Sequence, residues 1–107
     1  MTAPADGLAG KTAIVTGGYG VLGASMASGL AEAGVRVAIL GRKRDAAEAQ
    51  AERIRAAGGE ATVLIADVLD EAQVRAARDE ALAAWGRIDI LVNTAGGSVA
   101  RSRNDDR

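Results

Sequence analysis

A chain of 107 residues, 49% hydrophobic and 25% charged, has room for a single small globular domain. Its net charge of −1 leaves no electrostatic footprint for nucleic acid or an anionic membrane as partner. The chain has no cysteine and no histidine, which removes disulfides, thiol nucleophiles, the commonest zinc ligands and any Ser–His or Cys–His pair. No metal site is expected. No apolar run reaches membrane-spanning length, and Met1-Thr2-Ala3-Pro4-Ala5-Asp6 lacks the basic start and hydrophobic stretch of a signal peptide, so a cytoplasmic location is expected.

Short apolar runs alternate with helical stretches. A first strand is predicted over Thr12–Thr16 and a first helix from about Val21 to Ala33, with Leu22, Met26 and Leu30 at four-residue spacing and Gly34 at its end. A second strand follows at Val35–Leu40. A second helix runs from Asp45 to Ala57, where Asp45 and Glu48 have capping-box spacing and Gly58-Gly59 marks the stop. A third strand is predicted over Ala61–Ala66. A third helix starts at Asp70, boxed by Gln73, carries Val74, Ala77, Ala81, Leu82 and Trp85 on one face, and ends at Gly86. Ile88–Val92 makes a fourth strand.

This alternation implies βαβ units and a parallel sheet. With right-handed crossovers the expected fold is α/β, the first half of a Rossmann-type doubly wound sheet: four strands in the order 3-2-1-4 and three helices, over residues 1–97. Residues 98–107 lose the apolar periodicity, and the last seven carry no hydrophobic side chain. By composition they form a disordered tail that leaves the fourth strand as an open edge.

The most informative segment is Thr16-Gly17-Gly18-Tyr19-Gly20-Val21-Leu22-Gly23, which follows an apolar strand and opens a helix. Its Gly18-x-Gly20-x-x-Gly23 spacing, in that context, is the signature of a dinucleotide pyrophosphate site. The early glycines permit a sharp turn and a close approach of backbone N–H groups to phosphate, and the last lets the helix lie against the strand. The helix N-terminus adds unpaired N–H groups and partial positive charge.

Three further segments fall at the carboxyl ends of the other strands, where open α/β sheets bind ligands: Gly41-Arg42-Lys43-Arg44, Asp67-Val68 and Asn93-Thr94-Ala95-Gly96. A carboxylate at the end of the second strand would favour NAD by accepting from the ribose hydroxyls. Gly41 and then Arg42 stand there, and a guanidinium can grip a 2′-phosphate bidentately, so NADP(H) is expected over NAD(H). Each segment also has a plainer reading. Asp67 suits a turn cap, Asn93 suits a backbone tie at the strand end, and Trp85 suits core packing. Glu48, Glu52, Arg53 and Arg55 suit a solvated helix face.

Taken in order and spacing, these four segments resemble the short-chain dehydrogenase/reductase family over residues 8–97. The resemblance implies cofactor contacts from Gly17, Gly18, Tyr19, Gly20, Leu22 and Gly23 in the glycine loop and from Arg42. It implies an adenine site at Asp67 and Val68, and a strand-four motif at Asn93, Ala95 and Gly96. Two departures stand out: the family's usual glycine at position 21 is Val21, with Gly20 one place earlier, and the second Asn of its strand-four motif is Thr94. The form Gly-Gly-x-Gly-Val-Leu-Gly looks like a subgroup of sugar-acid (mannonate/fructuronate-type) oxidoreductases.

That family transfers hydride with a Ser and a Tyr-x-x-x-Lys set, in which the tyrosine is the general acid/base. Here the one tyrosine is Tyr19, with Gly23 four residues on, and the lysines are Lys11 and Lys43. No catalytic residue is therefore assigned. The family is usually homo-oligomeric, but its interface helices are absent from this sequence. The sequence is expected to be the truncated cofactor half of a reductase, inactive alone. The alternative is a non-catalytic nucleotide-binding or interaction module. A methyltransferase-like fold also uses a glycine-rich first loop, but the four-segment match disfavours it.

Overall fold

The computed structural model describes residues 8–17, 20–94 and 98–101. Strands β1 (Thr12–Thr16), β2 (Arg36–Gly41), β3 (Ala61–Ile65) and β4 (Ile90–Asn93) alternate with helices α1 (Val21–Glu32), α2 (Arg44–Ala56) and α3 (Glu71–Trp85). The four strands pair in parallel in the order β3-β2-β1-β4, as the alternation predicts. Every residue of β1 is buried, and so are the last five of β2, the pattern of central strands covered on both faces.

A fifth strand, β5 (Ser98–Arg101), runs antiparallel to β4, pairing Asn93 with Ser98 and Ile90 with Arg101. This corrects the expectation of a structureless segment from residue 98 and of an uncovered fourth strand. The unpaired N–H and C=O groups along β4 recruit a segment whose own composition carries almost no strand signal.

Side chains alternate between two packed faces along each strand. On one face Ala13, Val15, Val37, Ile39 and Val92 meet Ala27 of α1 and Ala47, Ala51 and Ile54 of α2. The small alanines let both helices sit close to the sheet. On the other face Ile14, Ala38, Leu40, Leu64 and Ala66 meet Ala77 and Ala81 of α3, with Trp85 and Ile88 partly buried beside them. The expected core role of Trp85 holds, and the Arg36 guanidinium lies 5.9 Å from its ring centre. Buried Gln50 ties α2 to α1: its Nε2 donates to the Ala24 carbonyl and to Ser28 Oγ, and its Oε1 accepts from Arg53.

Several boundaries move by a residue or two, as helix and strand ends commonly do. The one change with a chemical meaning is at α2. Its N-cap is Lys43, with no side-chain cap bond, so the expected Asp45–Glu48 capping box does not form. Asp45 instead sits in the first turn, where its charge favours the helix dipole. At α3 the Asp70 side chain does accept from the N–H groups of Ala72 and Gln73.

The entry to β4 is clasped to the start of β1. Thr12 N–H donates to Asp89 Oδ2 at 3.0 Å, Asp89 N–H donates to the Thr12 carbonyl at 2.9 Å, and Arg87 forks onto both carboxylate oxygens. Burial alone would raise the Asp89 carboxyl. The Arg87 and Thr12 hydrogen bonds, with the charges of Arg87 and Lys11, outweigh it and hold the group below its ordinary value. Unfolded, the carboxyl titrates at about 3.9. The clasp therefore stabilises the fold fully above that pH, and the contribution is lost as pH falls through the lower folded value. Melting temperatures of the wild type and Asp89→Asn are expected to differ at pH 7 and to converge in acid below about pH 4. A gap that stays constant into acid would rule out the ionised clasp.

Candidate functional site

The carboxyl ends of the four parallel strands are joined side to side by hydrogen bonds. Gly17 N–H donates to the Leu40 carbonyl at 2.8 Å, Ala66 N–H to the Gly41 carbonyl at 3.0 Å, and Thr94 Oγ1 to the Thr16 carbonyl at 2.5 Å. Residues distant in sequence thus share one edge of the sheet.

At the end of β1 the chain turns through Gly17, whose φ of +66° is left-handed. A Cβ there would lie 2.8 Å from Thr94 Oγ1, so both conformation and space call for glycine. Gly20 differs. It is the N-cap of α1 with extended backbone (φ −77°, ψ 175°) that any residue adopts, and among the described residues a Cβ would meet the Gly17 carbonyl oxygen alone within 4 Å, at 3.5 Å. No side chain caps α1 and no acidic residue occupies its first turn. Val21, at the position of the family's usual glycine, is 95% exposed; Leu22 is exposed and Gly23 is buried.

Register places the next two segments together. Gly41 pairs with Ile65 across β2 and β3, which brings Arg42 Nη1 to 3.9 Å from Asp67 Oδ2. Asp67 does form the turn that its residue type suggests, since Oδ1 accepts from Leu69 N–H at 2.9 Å. Its own N–H donates to Gln73 Oε1 at 2.8 Å, and its carbonyl accepts from Asp70 N–H. Gln73 was legible only as half of a capping box, yet its carbonyl oxygen holds the strand end. Val68 beside it is exposed.

At the end of β4, Thr16 Oγ1 lies 3.2 Å from Asn93 Oδ1 and 3.3 Å from the Val92 carbonyl. Asn93 therefore ties strands together, and Thr94 does the same through the Thr16 carbonyl. Gly18, Tyr19, Ala95 and Gly96 lie outside the described residues. The edge carrying Gly17, Gly20, Arg42, Asp67, Asn93 and Thr94 is opposite a cavity formed by described residues. That cavity, of about 320 Å³, lies between the C-terminal ends of α1 and α2 and is lined by Ser28, Glu32, Arg53 and Ile54 among others. Among the described residues no helix is long and apolar enough to cross a membrane, and no acidic cluster could hold a metal ion.

The chain can be set beside known proteins on this geometry. It is 46% identical over 93 residues to an uncharacterized oxidoreductase, UxuB, of Bacillus subtilis (strain 168), covering 87% of this chain and 34% of that one. It is 45% identical over 94 residues to D-threitol dehydrogenase of Mycolicibacterium smegmatis, covering 88% and 35%. Among solved structures, a dehydrogenase/reductase from Sinorhizobium meliloti 1021 superposes with a TM-score of 0.77 at 42% identity, over 79% of this chain and 34% of that one. A metagenomic short-chain oxidoreductase in complex with NADP superposes with a TM-score of 0.74 at 36% identity, over 78% and 38%. The chain thus spans about a third of the length of these relatives. The short chain dehydrogenase family model matches residues 11–106, and the chain belongs to the short-chain dehydrogenase/reductase family, whose members bind a nicotinamide dinucleotide.

Proposed function

We propose that this chain is the dinucleotide-binding segment of an alcohol–carbonyl oxidoreductase and that it takes NADP(H) in preference to NAD(H). The observation that carries the reading is the N-terminus of α1 without a side-chain cap, entered through left-handed Gly17, with the Arg42 guanidinium at the neighbouring strand end. When bound, the nicotinamide supplies the hydride or accepts it. The residues of this chain bind and orient.

The loop of Gly17, Gly18, Tyr19, Gly20, Leu22 and Gly23 receives the diphosphate at the positive end of α1, where the N–H groups of the first helical turn have no side-chain cap. The absence of an acid in the first turn of α1 suits an anion there. Glycine at position 20 relieves no backbone strain, so its use is to keep that approach open. Arg42, flanked by Lys43 and Arg44, receives the 2′-phosphate. Asp67 and Val68 lie against the adenine, and Asn93, Ala95 and Gly96 close the crevice at the end of β4.

Within these 107 residues no Tyr-x-x-x-Lys set occurs, so binding is assigned to them and proton transfer is not. A sugar-acid or polyol substrate fits the likeness to D-threitol dehydrogenase and the Gly-Gly-x-Gly-Val-Leu-Gly loop.

Fluorescence titration with NADPH and NADH tests the assignment. In Arg42→Ala the loss of a charged phosphate contact, about 1.5–3 kcal/mol, is expected to weaken NADPH roughly ten- to a hundredfold and to leave NADH nearly unchanged. Equal weakening of both, or no change, would remove Arg42 from this role.

A further inference from the structure

We propose that Asp67 is a specificity-determining residue that works against the 2′-phosphate, holding the Arg42 guanidinium and repelling the phosphate, so that this site is tuned to a moderate rather than maximal preference for NADP(H). The inference rests on the binding reading above and concerns what sets its selectivity.

The two partners of the ion pair are unequally fixed. Asp67 is held at its N–H by Gln73, at its carbonyl by Asp70 N–H and at Oδ1 by Leu69 N–H. The remaining carboxylate oxygen, Oδ2, is the one that faces Arg42 Nη1 at 3.9 Å. Asp67 is 33% exposed and Arg42 71% exposed, on a long side chain that gains little from one solvent-screened contact. The carboxylate is thus a fixed negative charge and the guanidinium a movable positive one.

A phosphate gripped by Arg42 has to draw the guanidinium from Oδ2. It also has to sit near a carboxylate that the Leu69 N–H bond to Oδ1 orients. Both effects oppose the 2′-phosphate. An unphosphorylated ribose meets neither, so the opposition bears on discrimination and not on dinucleotide binding as a whole. At about 7 Å and an effective dielectric constant near 20, screened by physiological salt, such like-charge repulsion corresponds to roughly three- to tenfold in affinity.

The test is titration of the 107-residue chain with NADP+ and with NAD+, for the wild type, Asp67→Asn, Arg42→Ala and the double variant, at low and high salt. Asn keeps an oxygen for Leu69 N–H and puts an uncharged amide NH2 in the place of Oδ2. Asp67→Ser provides a second neutral side chain able to make the same turn. Both are expected to raise the NADP+/NAD+ affinity ratio roughly three- to tenfold, since any change in the adenine contact falls on the two dinucleotides alike. The gain is expected to shrink at high salt and to be smaller when Arg42 is already Ala. A wild type that binds NADP+ while both neutral variants leave the NADP+/NAD+ ratio unchanged, or lower it, overturns the proposal and spares the binding reading. A wild type that binds neither dinucleotide overturns both.

Discussion

Purified at 107 residues, the chain is expected to reduce no carbonyl compound with NADPH. A bound nicotinamide positions a hydride, but negative charge develops on the carbonyl oxygen and needs a proton donor placed to meet it. Positioned general acid catalysis is worth about 10²–10⁴-fold. Tyr19 belongs to the glycine loop and has Gly23, not lysine, four residues on. Lys11 precedes β1 and Lys43 caps α2, so neither is spaced to lower a tyrosine pKa in the family's manner. The measurement is NADPH absorbance with sugar acids, polyol-derived ketones and quinones, on protein free of host reductases. Turnover that vanishes in Tyr19→Phe would show that this chain carries its own acid.

The second large effect is expected at Gly17, in stability. An alanine there would adopt φ +66°, a conformation that costs an L-residue about 1–2 kcal/mol. Its Cβ would also press on Thr94 Oγ1 at 2.8 Å, and that hydroxyl is engaged by the Thr16 carbonyl. Overpacking of this kind costs about 1–3 kcal/mol more. Small domains of this length carry about 5–15 kcal/mol in all, so Gly17→Ala is expected to lower the melting temperature by roughly 10–25 °C. Gly10→Ala is the control: φ is +83° but no described residue lies within 4 Å, so only the conformational cost applies. Adding Thr94→Ala to Gly17→Ala should restore the part due to crowding. Equal losses at Gly10 and Gly17 would contradict the close packing of the loop on β4.

The parallel core was legible because strands buried on both faces read as unbroken apolar runs, and because each helix carries alanine or leucine on one face. The start of α3 was legible from Asp70, whose carboxylate has no better partner than the helix N–H groups beside it. Asp45 carries the same signal at α2 but sits inside the first turn, so its side chain makes no cap. Spacing alone does not separate those two cases. The strand at Ser98–Arg101 was not legible, because its stability comes from the edge of β4 and not from its own residues.

The site divides the same way. Gly17 was legible from the strand–turn–helix context, and its left-handed φ bears out the expected sharp turn. Thr94 stood out only as a departure from the family motif. Its hydroxyl bond to the Thr16 carbonyl depends on the β1–β4 register, which no local pattern reveals. Arg42 and Asp67 were each singled out separately. Their pairing, between residues 25 positions apart, follows from the match of Gly41 with Ile65 across two strands.

Backbone amide shift mapping with NADP+ on nitrogen-15-labelled chain tests the central claim most directly, because it locates the ligand without requiring turnover. The account predicts the largest saturable shifts at Gly17, Gly20, Leu22, Gly23, Arg42 and Asp67. It predicts little change at Ala57, Gly58 and Gly59, on the opposite edge of the sheet. Shifts centred on those three residues, or an absence of saturable shifts in a folded chain, would contradict it.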